Sequence, residues 1–312
     1  MANAAHLPAL AECPDAELVG LCDLSQERLA ATAGRFNIRH TFTDFRRMLD
    51  ETRPQAVYAI LPPHHLYDVA IEVLARGHDL FVEKPPGLTA LQTECLARRA
   101  AEQKVMTGVG FQRRYHPLFL RCAEEVRRRG PIHQVVATFY KNIPPGVEHP
   151  YYRGAIDILT SDVIHVVDAV RFFCGGRVCA VASDVRKLDA WYAVTFNALV
   201  AFDSGATGIV LANWRTGKRR LALELHAPGC SAFADADGAG ELFADNKAEP
   251  VWRLDHAEVA GSQAMHVHQG FLGQARAFLE AVRTRRPVHN DLADAVQTMR
   301  LCEAIYAQAI NR

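Results

Sequence analysis

Short apolar runs and amphipathic stretches alternate through the first third of the chain. Leu18 to Asp23, Ala56 to Ile60, Leu80 to Val82 and Lys104 to Val109 read as strands, and Ser25 to Phe36, His64 to Arg76 and Thr89 to about Gln103 read as helices between them. Ala4 to Leu10 reads as the end of a further helix. In the helix from His64, the residues Leu66, Val69, Ala70, Val73 and Leu74 share one face until Gly77 stops it, and Thr89 to Gln92 carries a capping box. Strand and helix repeating at this spacing predict a parallel, doubly wound sheet with right-handed crossovers.

From Pro117 the pattern changes. A helix to Arg129 leads into a strand from Ile132 to Tyr140, and a helical run from Ile156 to Phe173 ends at Gly175-Gly176. Alternating stretches follow at Val178 to Val185, Trp191 to Phe202, Ala206 to Asn213 and Arg219 to His226, with Asp203-Ser204-Gly205 as a turn and Leu221, Leu223 and Leu225 on one face. Strands joined by turns imply a mainly antiparallel sheet with helices on one face. Two helices, about His268 to Thr284 and Leu292 to Ile310, close the chain. The division expected is therefore a dinucleotide-type unit over residues 1–114 and an α+β unit over 115–312.

Composition narrows the function. Equal numbers of basic and acidic residues give no general electrostatic case for nucleic acid or an acidic membrane as partner. Arg127-Arg128-Arg129 closes a helical pattern, where cations oppose the helix dipole. Eight cysteines without a short paired spacing point to reduced thiols in the cytosol. His266 and His268 stand two apart, yet no third ligand lies near them, so no metal is expected. No signal peptide or membrane span is expected, since no apolar run of membrane-spanning length occurs in the sequence.

Two places carry candidate chemistry. Leu80 to Val82 runs into Glu83-Lys84-Pro85-Pro86, which presents the Lys84 ammonium at a strand's carboxyl end, where open α/β sheets bind ligands. Taken alone, Lys84 is also compatible with a merely solvated lysine. Asp162, His165 and Asp168 follow at steps of three on one helix, with Asp162 and His165 on a shared face. An imidazole beside a carboxylate suits acid-base work, and a histidine held inside a domain interface fits the same spacing.

Glu83-Lys84-Pro85 after an apolar strand, Leu61-Pro62-Pro63-His64-His65 before it and Val109 to Pro117 after it resemble the glucose-fructose oxidoreductase / inositol dehydrogenase / rhizopine-catabolism family of nicotinamide-dependent oxidoreductases. The likeness includes Ser161 to Gly175 and the tail from Gly270 to Tyr306. It implies a Rossmann-type fold, with Lys84, His165 and Asp162 as catalytic candidates. Leu61, Pro62, Pro63, His64, Glu83, Lys84 and Gln112 are the residues the resemblance sets along the cofactor, and Arg114 is set at the site entrance. In that pattern an aspartate stands four residues before the histidine, where this chain has Ser161. Its acid is Asp162, turned about 100° around an α-helix from that position.

Asp23 ends a strand where the dinucleotide fold places the acid that binds the adenosine ribose, about 20 residues after a glycine fingerprint. Its carboxylate favours NAD, while Ser25 and Arg28 could take the 2′-phosphate of NADP if it turned away. No such fingerprint occurs in the sequence. By resemblance, Met1-Ala2-Asn3 falls at the end of that turn, so the chain is expected to be N-terminally truncated, with the central strand and both glycines upstream. Each buried backbone group left unpaired by a missing strand would cost about 1–3 kcal/mol.

Two functions follow from this reading. One is hydride exchange between a nicotinamide cofactor and a secondary alcohol or ketone of a sugar, inositol or related polyol. The other is a non-catalytic dinucleotide sensor or cofactor-free binding protein of the same fold. An open sheet face, supplied with Trp191, Phe196, Phe202 and Trp214, is expected to be covered by another subunit in a homodimer or homotetramer.

Overall fold

A computed structural model of the chain describes residues 1–308, and the expected helix end at Ile310 lies outside them. After a π-helical turn at Ala2–His6 come α1 (Leu7–Ala11), β1 (Leu21–Cys22), α2 (Gln26–Phe36), β2 (Thr41–Phe42), α3 (Phe45–Thr52), β3 (Ala56–Ala59), α4 (Pro63–Ala75), β4 (Asp79–Val82), α5 (Ala90–Gln103) and β5 (Thr107–Val109). Next are α6 (Pro117–Arg127), β6 (Gln134–Asn142), α7 (Ile164–Cys174), β7 (Val178–Arg186), β8 (Thr195–Phe202), β9 (Thr207–Asn213) and β10 (Arg215–Ala227). The chain continues through β11 (Cys230–Asp235), β12 (Ala239–Ala244), β13 (Trp252–Asp255), α8 (His256–Ala260), α9 (Met265–His268), α10 (Phe271–Thr284) and α11 (Leu292–Ala307).

The first unit is a Rossmann-type parallel arrangement in two pieces. β3, β4 and β5 pair in that order, and β1 pairs with β2. Among the described residues β1 has no partner but β2 and β3 none but β4, so each keeps one unpaired edge. Burial follows from this. β4, paired on both sides, is buried at every position, whereas β1 is half-exposed throughout. One face of β4 sends Leu80 and Val82 into the core with Leu66, Val73 and Leu96 of α4 and α5. Its other face stacks Phe81 on Tyr58 at 4.6 Å, and Phe278 of α10 meets both rings edge-on.

The second unit is an open eight-stranded sheet in the order β13-β12-β11-β10-β6-β9-β8-β7. Every pair is antiparallel except β6 with β9. Its inner face carries Val135, Ala137, Phe139, Phe196, Val200 and Val210, all buried beneath the helices. Gly208 of β9 lets α7 approach closely, since a Cβ there would stand 2.2 Å from Val170 Cγ1. This seats α7, which begins one residue before His165.

Several elements differ from the pattern reading. β2 and α3 fill a stretch that the pattern left unassigned. β11 to β13 were also unassigned; the inward positions of β11 hold Cys230, Ala232 and Ala234 rather than large β-formers, and pairing supplies what propensity does not. The open face is corrected too. Phe196, Phe202 and Trp214 are buried on the inner side, and Trp191 stands exposed in the loop before β8. The outer side instead shows Leu199 and Phe233, with the partly buried Val136, Ile209 and Leu211. Finally, the tail packs back on the first unit: Gln274 and Asn290 donate to the Val109 carbonyl at 2.9 and 2.6 Å, and Arg285 pairs with Asp79 at 2.6 Å.

Candidate active site

Lys84 leaves the carboxyl end of β4, and its turn is held from beneath by Glu83. The Glu83 carboxylate is buried, meets His6 Nε2 at 2.6 Å and accepts the Lys84 amide at 3.1 Å. Burial raises its pKa, but the His6 hydrogen bond and the charges of His6 and Lys84 outweigh this and hold it below the ordinary value. Gly110 leaves it room: a Cβ there would stand 3.1 Å from the carboxylate. The resemblance sets Glu83 along the cofactor; in the structure its Oε1 meets His6 and its Oε2 accepts the Lys84 amide.

The lysine reaches across to the second unit. Lys84 Nζ donates to the Ser161 carbonyl at 2.7 Å and lies 3.5 Å from Asp162 Oδ1. Asp162 stands in a π-helical turn, Leu159–Val163, closed by the Ile164 amide on the carbonyl of Leu159 five residues back. Although displaced by one residue from the position the resemblance implies, the acid still lies beside Lys84. Its other oxygen, Oδ2, takes the Lys141 ammonium and, at 2.6 Å, the Tyr151 hydroxyl. Burial raises the Asp162 pKa, and the charges of Lys84 and Lys141 reverse that and hold it well below the carboxylate range.

His165, three residues on, is buried, and its Nδ1 has no hydrogen-bond partner. Burial pushes its pKa well below the ordinary value, the positive charges of Lys84, Arg113 and Lys141 push the same way, and Asp162 only partly opposes them. The imidazole is therefore neutral at physiological pH. It can accept a proton, and its own ring proton can be donated.

Three residues of this cluster were missed in the sequence. Lys141 continues the inward face of Val135, Ala137 and Phe139 at the end of β6, and a lysine in that register was the available signal. Tyr151 sits in the aromatic loop before the π-helical turn. Arg113 shared a run with Arg114, and the reading chose the wrong one of the two. Arg114 is 1% exposed, donates to both Asp168 oxygens at 2.8 and 2.6 Å and to Asp294 at 2.6 Å, and so is a buried cross-link rather than an entrance residue. Asp168 is occupied by this pair and by Thr298.

At the far end of the carboxyl edge, Asp23 accepts Ser25 N at 2.8 Å and Arg28 Nη2 at 2.9 Å, and the Arg28 hydrogen bond lowers its pKa. The Ser25 hydroxyl caps α2. Leu61, Pro62 and Pro63 lead from β3 into the uncapped start of α4, and exposed His64 meets the Tyr152 ring at 5.1 Å. Gln112 follows β5 with its Oε1 buried and unpartnered. His266 and His268 fall on α9 rather than a strand; His266 meets Glu12 at 2.5 Å, and the described residues hold no metal-ligand cluster.

A nicotinamide dinucleotide fits this edge at both ends. Asp23 supplies the acid that an adenosine ribose would need, and the unpartnered Nδ1 of His165, within reach of the Lys84 charge, and Oε1 of Gln112 after β5 would be available to the nicotinamide. The residues present contain no glycine-rich pyrophosphate turn.

Fold and site together define an oxidoreductase of the dinucleotide-binding class. Residues 1–111 match the family described as "Oxidoreductase family, NAD-binding Rossmann fold", and residues 126–229 match the GFO/IDH/MocA C-terminal domain. The chain belongs to this family. It is 25% identical over 310 residues to D-xylose 1-dehydrogenase (NADP(+)) 2 of Haloferax volcanii, covering 97% of this chain and 92% of that protein. It is 28% identical over 214 residues to scyllo-inositol 2-dehydrogenase (NAD(+)) of Bacillus subtilis, covering 64% and 60%. A crystal structure of a dehydrogenase from Chromobacterium violaceum superposes with a TM-score of 0.87 at 25% identity, covering 98% of this chain and 92% of that one. No helix among the described residues is long and apolar enough to cross a membrane.

The neutral burial of His165 makes stability depend on pH. Its folded pKa lies below the unfolded value of about 6.5, so its contribution is complete above that pH and is lost as pH falls through it. His116, pushed down to about 3 by burial and the nearby Arg113 charge, acts in the same direction. Urea unfolding from pH 7.5 to 5.5 should show falling stability, with a smaller fall in His165→Gln. An equal fall in that variant would place the proton uptake elsewhere.

Proposed function

We propose that this protein oxidises a secondary alcohol of a sugar or polyol, or reduces the matching ketone, with His165 moving the hydroxyl proton and Lys84 binding the oxygen. The observation that carries this reading is a neutral histidine with an unpartnered ring nitrogen, set beside a lysine that a shared carboxylate holds in place. The nicotinamide, when bound, accepts or supplies the hydride. In oxidation the neutral imidazole takes the proton as charge develops on oxygen, and the Lys84 ammonium stabilises that charge. In reduction the ring acts in its protonated form, and the imidazolium returns that proton to the oxygen as the hydride arrives at carbon. Asp162 positions the ammonium, and Tyr151 and Lys141 fix the carboxylate.

Asp23 supports NAD as the preferred cofactor, since its carboxylate stands where a ribose 2′-hydroxyl would be bound and would repel a 2′-phosphate. NADP would require Arg28 to leave Asp23. The names of relatives include both cofactors and both sugar and inositol substrates, which supports the polyol class and leaves its member open.

Substitution tests the roles directly. Lys84→Ala and His165→Ala should each lower kcat by about 10²-fold or more, the scale of a positioned acid-base group. NAD affinity should change little in His165→Ala, and near-normal turnover in that variant would return the histidine to a structural role.

We also propose that the open sheet face is covered by a second copy of the chain in a homodimer or homotetramer. Leu199 and Phe233, 52% and 39% exposed, lie among apolar neighbours on that face. Light scattering should show a dimer or larger, and Leu199→Glu with Phe233→Glu should shift it toward monomer. A wild-type monomer at high concentration would contradict this.

A further inference from the structure

The charges around His165 do not balance. Lys84 and Lys141 share the single carboxylate of Asp162. On the other side, Arg113 and Arg219 face Asp237: Arg219 pairs with it directly, and Arg113 interacts with its charge at longer range. Counting Glu83, which the Lys84 charge also reaches, four cations meet three carboxylates, and Arg113 has none in direct contact.

The excess sits in a built environment. Arg113 is 6% exposed, its Nη1 donates to Gln269 Oε1, and its Nε is buried without a partner. Burial pulls its pKa down to about 10, which leaves it charged at neutral pH. Lys141 Nζ lies 5.0 Å from the Phe139 ring and 5.5 Å from Trp214, and Arg219 covers the same Phe139 ring at 5.7 Å. The register between β6 and β10 breaks between Arg215 and Arg220, and Arg219 comes from that irregular stretch at the rim. A buried cation without its counter-charge is costly, and a ligand that supplies the charge recovers that cost.

From this juxtaposition we infer that the substrate is an anionic sugar, with a carboxylate or phosphate bound by Arg113 and Lys141 and guided in by Arg219, while its carbinol carbon faces His165. The inference rests on the proposed function for the carbinol end and adds the class of substrate. A neutral polyol would leave the excess positive charge unmatched.

Calorimetric titration with D-glucuronate, D-glucose 6-phosphate, D-glucose and myo-inositol, alongside NAD reduction, tests it. At least one anion should bind ten times or more tighter than D-glucose and weaken as salt is raised. The tighter of the two anions identifies carboxylate or phosphate. Lys141→Gln should reduce the anion's advantage over D-glucose about tenfold, the scale of one charge-assisted hydrogen bond. The more exposed Arg219→Gln should reduce it less and retains a test if Lys141→Gln misfolds. Equal or tighter binding of either neutral compound, no binding of either anion, or an undiminished advantage in both variants would overturn the inference. Selective anion binding without hydride transfer from any of the four would keep it and remove the catalytic reading instead.

Discussion

One carboxylate, Asp162, ties the two units together at the place where the chemistry is assigned. It stands between Lys84 from the carboxyl end of the first sheet and Lys141 from the inner face of the second. Largely removed from water, such pairs interact more strongly than surface ion pairs, and they require mutual geometry that neither unit sets alone. The π-helical turn is how this chain achieves that geometry. It brings an acid shifted by one position to the lysine, and α7 then carries His165 to the same point. Gly208 below α7 and Gly110 beside Glu83 are the close approaches that seat the two sides.

The neutrality of His165 follows from the same charges. A lone carboxylate beside an imidazole would favour the protonated ring, but here Asp162 is already engaged by two ammonium groups. Burial and three cations therefore prevail over it. Asp168 is on the same helix, yet Arg114 and Thr298 occupy it completely and make it part of the packing between α7 and α11.

Much of this architecture was legible in the chain. The 3.6-residue stripe after His64, the capping box at Thr89 and the alternation of Leu221, Leu223 and Leu225 all have local causes, and the elements appear where those causes act. What was not legible depends on partners distant in sequence. β11 has small inward residues and exists through pairing. Phe196, Phe202 and Trp214 could not be assigned to a face by composition, and the alternation in β8 decided it. At the site, Lys84 and His165 stand out by type and setting, whereas Lys141 and Arg113 acquire meaning only once β6 and the turn after β5 converge. The two-piece parallel sheet carries the same lesson: strand propensity shows β1 and β3, but not which edges are paired.

The link between the units can be measured as a coupling. Lys84→Met and Asp162→Asn, made singly and together, form a double-mutant cycle on the free energy of urea unfolding. If Asp162 holds Lys84 across the crevice, the coupling should be about 1 kcal/mol or more. Additive effects, within about 0.5 kcal/mol, would show that the two residues are neighbours without being partners and would contradict the account.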